Sequence, residues 1–186
     1  MRATTLTALT VLPLLALAAC GVTNSTSLGQ TKDAPPSVTA TTQLLGPNGE
    51  MRGSARLEQR AGGTRVIASV EGLPAGPHGI HLHAVGKCDA PGFTTAGGHF
   101  NPTMKMHGSM NPMGPHEGDL PNVDVAADGK GKVEFTVPGL MLTGGTAPLL
   151  DADGAALVVH ATADDLKTDP SGNSGGRIAC GIIAAR

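Results

Sequence analysis

The chain has 186 residues, 40% of them apolar, with 27 glycines, 14 prolines, neither tryptophan nor tyrosine, and a formal net charge of −2. That length suits one domain around a single core. The charge lacks the basic stripe of a nucleic-acid binder, the missing Trp and Tyr remove the usual stacking platforms, and the apolar content excludes wholesale disorder. Three cysteines and seven histidines remain to be explained.

Met1-Arg2 gives a short positive start, and Leu6 to Ala19 is apolar apart from threonines and Pro13. Such a run is too short to cross a hydrocarbon layer of about 30 Å and fits the central region of a secretory signal peptide. It ends Leu17-Ala18-Ala19-Cys20-Gly21, which resembles a bacterial lipoprotein signal. On that reading residues 1–19 are removed, and acylated Cys20 becomes the N-terminus and holds the protein at a membrane of the cell envelope or periplasm. Ordinary cleavage after Ala18 is the alternative. Residues 21–36 are small and polar, end in Pro35-Pro36, and read as a flexible tether. The folded domain is expected over 37–186. With Cys20 lipidated, Cys88 and Cys180 are left in an oxidising compartment, as a disulfide or as two buried thiols. A disulfide would close a loop of about 90 residues, for which chain entropy gives ~4–5 kcal/mol.

Strand patterns follow at Ser37–Leu45, Met51–Glu58, Arg65–Glu71, Gly79–Ala84, Val123–Ala126, Lys132–Val137, Ala156–Ala161 and Ile178–Ile183. Turn sequences such as Gly46-Pro47-Asn48-Gly49 and Asp128-Gly129-Lys130-Gly131 separate them. Eight short strands and no long helix predict an all-β sandwich or barrel. Two stretches carry no strand pattern, residues 85–119 and the glycine-rich 164–176. Loops this long in a compact domain are usually functional.

The histidines gather around these loops. His81 and His83, two apart on a strand, share a face, with Ile80 and Leu82 on the other. His99, His107 and His116, with Asp119, lie in the long loop, and His160 ends an apolar strand. Imidazole suits copper and zinc, and an added carboxylate suits zinc. Four histidines could hold a copper, and three histidines with an aspartate a zinc, if one histidine serves both. His78 is left as a structural, hydrogen-bonded residue.

Taken together, several segments resemble the copper/zinc superoxide dismutases in their exported bacterial form. They are His78-Gly79-Ile80-His81-Leu82-His83, Ala96-Gly97-Gly98-His99-Phe100-Asn101-Pro102, Lys105-Met106-His107-Gly108, His116-Glu117-Gly118-Asp119-Leu120, Leu157-Val158-Val159-His160, Asp164-Asp165-Leu166 and Gly172-Asn173-Ser174-Gly175-Gly176-Arg177-Ile178-Ala179-Cys180-Gly181. The resemblance spans nearly all of 38–186. It implies an eight-stranded Greek-key barrel with long metal-binding loops, one copper and one zinc per subunit, and dismutation of superoxide by alternating reduction and oxidation of copper. Position by position it implies His81, His83, His99 and His160 as copper ligands, and His99, His107, His116 and Asp119 as zinc ligands, with His99 bridging and acting in proton transfer. It implies Asp164 as the carboxylate tying His81 to His107, Arg177 as the guanidinium at the open copper position, and Cys88–Cys180 as a disulfide. A relative that only stored metal would be expected to lack a copper ligand or the arginine, and a copper-only relative the zinc ligands; all are here.

Loss of Arg2 with the leader takes the net charge from −2 to −3. Local positive charge must therefore offset the global field for an anionic substrate, and Arg177 is the one basic residue with a positional argument. The segment after Asp165 is shorter than in eukaryotic relatives, so no other steering residue is assigned, and the oligomeric state, monomer or homodimer, stays open. Met104, Met106, Met110 and Met113 crowd one loop. The preferred expectation is that they fill gaps beneath it; the alternative is transient capture of Cu(I) by their soft thioethers.

Overall fold

A computed structural model describes residues 35–186. The leader, Cys20 and most of the tether lie outside the described residues. The chain forms β1 (Val38–Leu45), β2 (Met51–Arg60), β3 (Gly63–Val70), β4 (Gly76–His78), β5 (Ile80–His83), β6 (Val123–Val125), β7 (Gly131–Pro138), β8 (Ala156–His160), β9 (Arg177–Ile182) and β10 (Ala184–Ala185). Thr94–Ala96 makes one turn of 3-10 helix, the only helical element among the described residues.

The eight expected strands are all present, and the ten segments reduce to eight staves. Strands pair in the order β4-β6-β7-β3-β2-β1-β9-β8-β5, and β10 continues the last strand along β1. β4 and β5 are halves of one stave bent at Gly79, the first half pairing with β6 and the second with β8. The chain thus closes its own ring, which leaves no long open edge to template aggregation. The connection from β3 to β4 passes over β6 and β7, and that from β7 to β8 returns, giving the Greek-key path.

Alternation sorts the side chains. Along β1, Ala40, Thr42 and Leu44 point inward and are buried. Leu44, Leu57, Ile80, Leu82 and Leu157 are fully buried in the barrel core. Each contributes about 1.5–3 kcal/mol from burial. β5 departs from a simple inside-and-outside strand, because all four of its residues are buried. Ile80 and Leu82 enter the core, whereas His81 and His83 face outward beneath the 84–122 loop. That outer layer has its own small apolar cluster of Phe93, Ala96, Ala156, Val158 and Cys180. The Cys88–Cys180 disulfide, with Cα atoms 5.7 Å apart, fastens the roof to β9.

Candidate metal centre

Backbone pairing places the loop residues. The free edge of β5 is taken up by the long loop, through bridges His83–His99 and His81–Asp119. Leu82 N donates to Gly118 O (2.9 Å) and Phe100 N donates to Leu82 O (2.8 Å). A Cβ at Gly118 would sit 2.3 Å from Leu82 O, so only glycine permits this approach. On the other side β8 pairs with β5 in the register His81↔Val158 and His83↔Ala156. Alternation from Ala156 and Val158 then brings His160 to the same outer face, just past a register shift at Val159/His160.

The rings so gathered leave four atoms without a partner. His81 Nδ1, His83 Nε2, His99 Nε2 and His160 Nε2 are buried and make no hydrogen bond. Ligand atoms of these four residues lie within 4.8 Å of one another. Each ring is oriented through its other nitrogen: His81 Nε2 to Asp164 Oδ2 (2.7 Å), His83 Nδ1 to Gly97 O (2.9 Å), His160 Nδ1 to Gly175 O (3.2 Å) and His99 Nδ1 to Asp119 Oδ1 (2.8 Å). A neutral imidazole that donates at one nitrogen offers a lone pair at the other. Four buried lone pairs converging on one point are costly unless a cation shares them. A nitrogen set of this kind suits copper.

A second set lies on the far side of His99. Nδ1 of His99, His107 and His116 all approach Asp119 Oδ1, at 2.8, 3.1 and 3.1 Å. Ligands about 2.0–2.2 Å from a tetrahedral zinc are about 3.3–3.6 Å apart, so these four atoms need to spread by only a few tenths of an ångström. Asp119 is held by its other oxygen, which accepts from Gly108 N (2.8 Å) and His116 N (2.9 Å). His99 belongs to both sets, one nitrogen in each.

Asp164 connects them. Its carboxylate accepts from His81 Nε2 at Oδ2 and from His107 Nε2 at Oδ1 (3.0 Å), while Leu166 N also donates to Oδ1. The side chain of Asn122 holds it in place by bonding both its backbone N–H and its backbone carbonyl. Arg177 opens β9, and its guanidinium donates to Phe93 O (2.6 Å) and Gly97 O (2.7 Å). Gly97 O thus serves both Arg177 and His83.

The electrostatics agree with these roles. Burial, aided by neighbouring positive charge, pushes His83 down to about 2 and His160 to about 3. Burial also takes His99 to about 4, against the pull of Asp119. These three rings stay neutral donors at neutral pH. Burial opposes charge on His107 as well, but hydrogen bonds to Asp119 and Asp164 raise it to about 9. Burial is outweighed at both aspartates too, since hydrogen bonds from the histidines hold their carboxyls well below the usual range. Burial lowers the Arg177 guanidinium.

Comparison with known proteins fits this geometry. Residues 51–183 match the family model for copper/zinc superoxide dismutase (SODC). The chain belongs to the copper/zinc superoxide dismutase family. A "Superoxide dismutase [Cu-Zn]" from Deinococcus radiodurans is 43% identical over 192 residues, covering 95% of this chain and 97% of the relative. "Superoxide dismutase [Cu-Zn] 1" of Aquifex aeolicus is 42% identical over 142 residues, covering 75% and 84%. A crystal structure of a double mutant of a SOD-like protein from Bacillus subtilis aligns with TM-score 0.73 and 44% identity, covering 76% of this chain and 95% of that one.

In this copper/zinc superoxide dismutase family member, His81, His83, His99, His107, His116, His160, Asp119 and Asp164 lie in one cluster, Arg177 adjoins it through Gly97 O, and Cys88–Cys180 lies in the neighbouring apolar cluster. His78 lies beside the histidine cluster as a structural residue, its Nδ1 2.8 Å from His160 O and its Nε2 2.9 Å from Pro74 O. Sequence reasoning missed the carbonyls of Phe93, Gly97 and Gly175, because a backbone oxygen carries no residue identity. It also missed Asn122, and Asp169, whose Oδ1 accepts from His107 N (2.7 Å). A polar residue immediately before the Val123 strand, or in a glycine-rich loop, gives no signal that separates it from a solvated one.

Proposed function

We propose that this protein converts superoxide to dioxygen and hydrogen peroxide at a copper held by His81, His83, His99 and His160, beside a zinc held by His99, His107, His116 and Asp119. The observation that carries the reading is the convergence of four orphaned ring nitrogens on one buried point. When bound there, copper supplies the one-electron chemistry, two superoxide anions and two protons giving one O2 and one H2O2.

The chain's own residues do the rest. Arg177 offers the substrate a fixed positive charge next to His83 and His160, whose proton affinities it depresses. Its fork is held by two carbonyls and so points without searching. His99 is suited to move a proton at Nε2, since that nitrogen has no other hydrogen-bond partner while its Nδ1 remains with the zinc set. Asp164, by accepting from both His81 and His107, fixes their tautomers and raises their basicity as ligands. The disulfide, through the Phe93 cluster, steadies the loop that carries the two carbonyls.

Residues 1–19 are proposed as an export signal and Cys20 as a lipid attachment site. The Cys88–Cys180 disulfide supports an oxidising compartment. A Cys20→Ala variant is expected to leave the membrane fraction and appear as soluble protein.

The decisive test of activity is metal analysis with a superoxide-consumption assay on the wild type and His160→Ala. Loss of copper and of activity, with zinc retained, is expected. A copper-loaded wild type no faster than equivalent free copper, or an unimpaired variant, would overturn the reading.

A further inference from the structure

Four of the eight large exposed apolar side chains among the described residues are methionines of one loop: Met104 (91% exposed), Met106 (38%), Met110 (66%) and Met113 (71%). The expectation that they fill gaps beneath the loop is therefore overturned, because a gap-filling methionine is buried. Beyond dismutation, we propose that these four thioethers form a surface site for Cu(I), separate from the buried histidine centre.

Thioether sulfur is a soft, uncharged ligand that favours Cu(I) over zinc or hard cations. Among the described residues no thiol competes, because Cys88 and Cys180 are joined. The histidines of the buried centre are equally out of reach of the surface. Soft donors presented to solvent are thus thioethers, and apart from Met51 on β2 the exposed ones are these four.

The loop backbone is also held in place. Met106 N donates to Met113 O (3.1 Å), which sets these two residues side by side at the neck of the loop. Asn111 N donates to Gly108 O (3.1 Å) and Gly114 N to Asn111 O (3.0 Å), so two successive turns fold the intervening chain, with Met110, back over that neck. Met110 N donates to Leu166 O (2.9 Å), and the Asn101 side chain bonds Lys105 at both N and O. The backbone is thus fixed on both sides, so binding there orders side chains rather than main chain. Binding on a fixed backbone avoids most of the ordering cost. The same loop carries His107, so Cu(I) held there is concentrated beside the metal centre.

The test uses protein already carrying one copper and one zinc per chain. Cu(I) is titrated anaerobically against a coloured Cu(I) chelator, and Ag(I) into protein labelled with 13C at the methionine methyl groups. Wild type is expected to take one Cu(I) more than the M104L/M106L/M110L/M113L variant. Methyl shifts are expected at these four residues and not at Met51 or Met141, with none on adding Zn(II). No extra Cu(I) on the wild type, equal uptake by the variant, or unmoved methyls would overturn the proposal. The variant is expected to dismutate superoxide like wild type once fully loaded, so failure of this site and failure of the enzymatic reading give different results.

Discussion

Replacing Asp164 with asparagine tests whether one carboxylate serves both metal sets, and the structure says which set suffers more. Both ring nitrogens facing Asp164 are N–H donors if the opposite nitrogens are ligands. Oδ1 receives two donors, His107 Nε2 at 3.0 Å and Leu166 N at 2.6 Å, whereas Oδ2 receives one, His81 Nε2 at 2.7 Å. The single carbonyl oxygen of asparagine therefore belongs on the Oδ1 side. Its NH2 then points at His81 Nε2–H, donor against donor in a fully buried place. A lost hydrogen bond to a charged partner is worth about 1.5–3 kcal/mol, or roughly 10- to 150-fold in an equilibrium. Loss of such a supporting contact typically lowers metal affinity about 10- to 100-fold. Asp164→Asn should thus weaken copper binding within that range while zinc binding changes several-fold less. Competition titrations of both metals against chelators, one metal at a time, read this directly. If zinc is lost more readily than copper, or if neither affinity changes more than about twofold, the assignment of Asp164 as a shared support is wrong.

Arg177→Lys keeps the charge but cannot reach both Phe93 O and Gly97 O with a planar fork. A drop of roughly tenfold in kcat/KM for superoxide is expected, with copper content unchanged, and wild-type kinetics would remove the case for a positioned fork. Cys88→Ser opens a loop with ends 92 residues apart. Urea unfolding should show a loss of about 2–5 kcal/mol, and a loss below about 1 kcal/mol would contradict it. With the metals stripped, His83, His160 and His99 hold folded values of about 2, 3 and 4 against 6.5 unfolded, so the unfolded chain binds more protons in acid and stability falls below pH 6.5. Each costs about 1 kcal/mol between pH 6.5 and 5.5. His107, raised to about 9, acts oppositely, its contribution being full below 6.5 and lost as pH rises through 9. Thermal melts of the stripped protein should therefore peak near pH 7, where the gain from the three depressed histidines balances the loss from His107, and fall more steeply on the acid side, a flat profile being the adverse result.

What the sequence could say about the site depended on how each residue is positioned. His81 and His83 were legible because strand alternation alone puts both on one face, and His160 because it ends a run of buried strand residues. His99, His107, His116 and Asp119 lie where no periodicity operates, so only the resemblance of their flanking segments could assign them. Their placement comes from the loop adding itself to the free edge of β5, a pairing that local sequence does not encode. The bend at Gly79 leaves no mark in the sequence, because His78 and Ile80 both fit extended chain. The exposure of the loop methionines is hidden for a related reason: apolar side chains are expected inside, and only the tertiary path leaves these four open to solvent.

The metal centre occupies the layer between barrel and roof, and that placement resolves an apparent conflict in the packing. A buried cluster of six imidazoles and two carboxylates would ordinarily be a poor way to hold a loop of this length on a sheet, since each polar group must recover what it loses in leaving water. Here nearly every such atom does so through a neighbour fixed by backbone: the carbonyls of Gly97 and Gly175, the N–H groups of Gly108, His116 and Leu166, and the Asn122 side chain behind Asp164. The four atoms that find none are the four that meet at one point. Three of them belong to the stave pair β5–β8 that closes the barrel, and the fourth to the loop that covers it. A cation at that point joins roof to barrel as well as completing a reactive site, so metal loading and the stability of the 84–122 loop are one equilibrium.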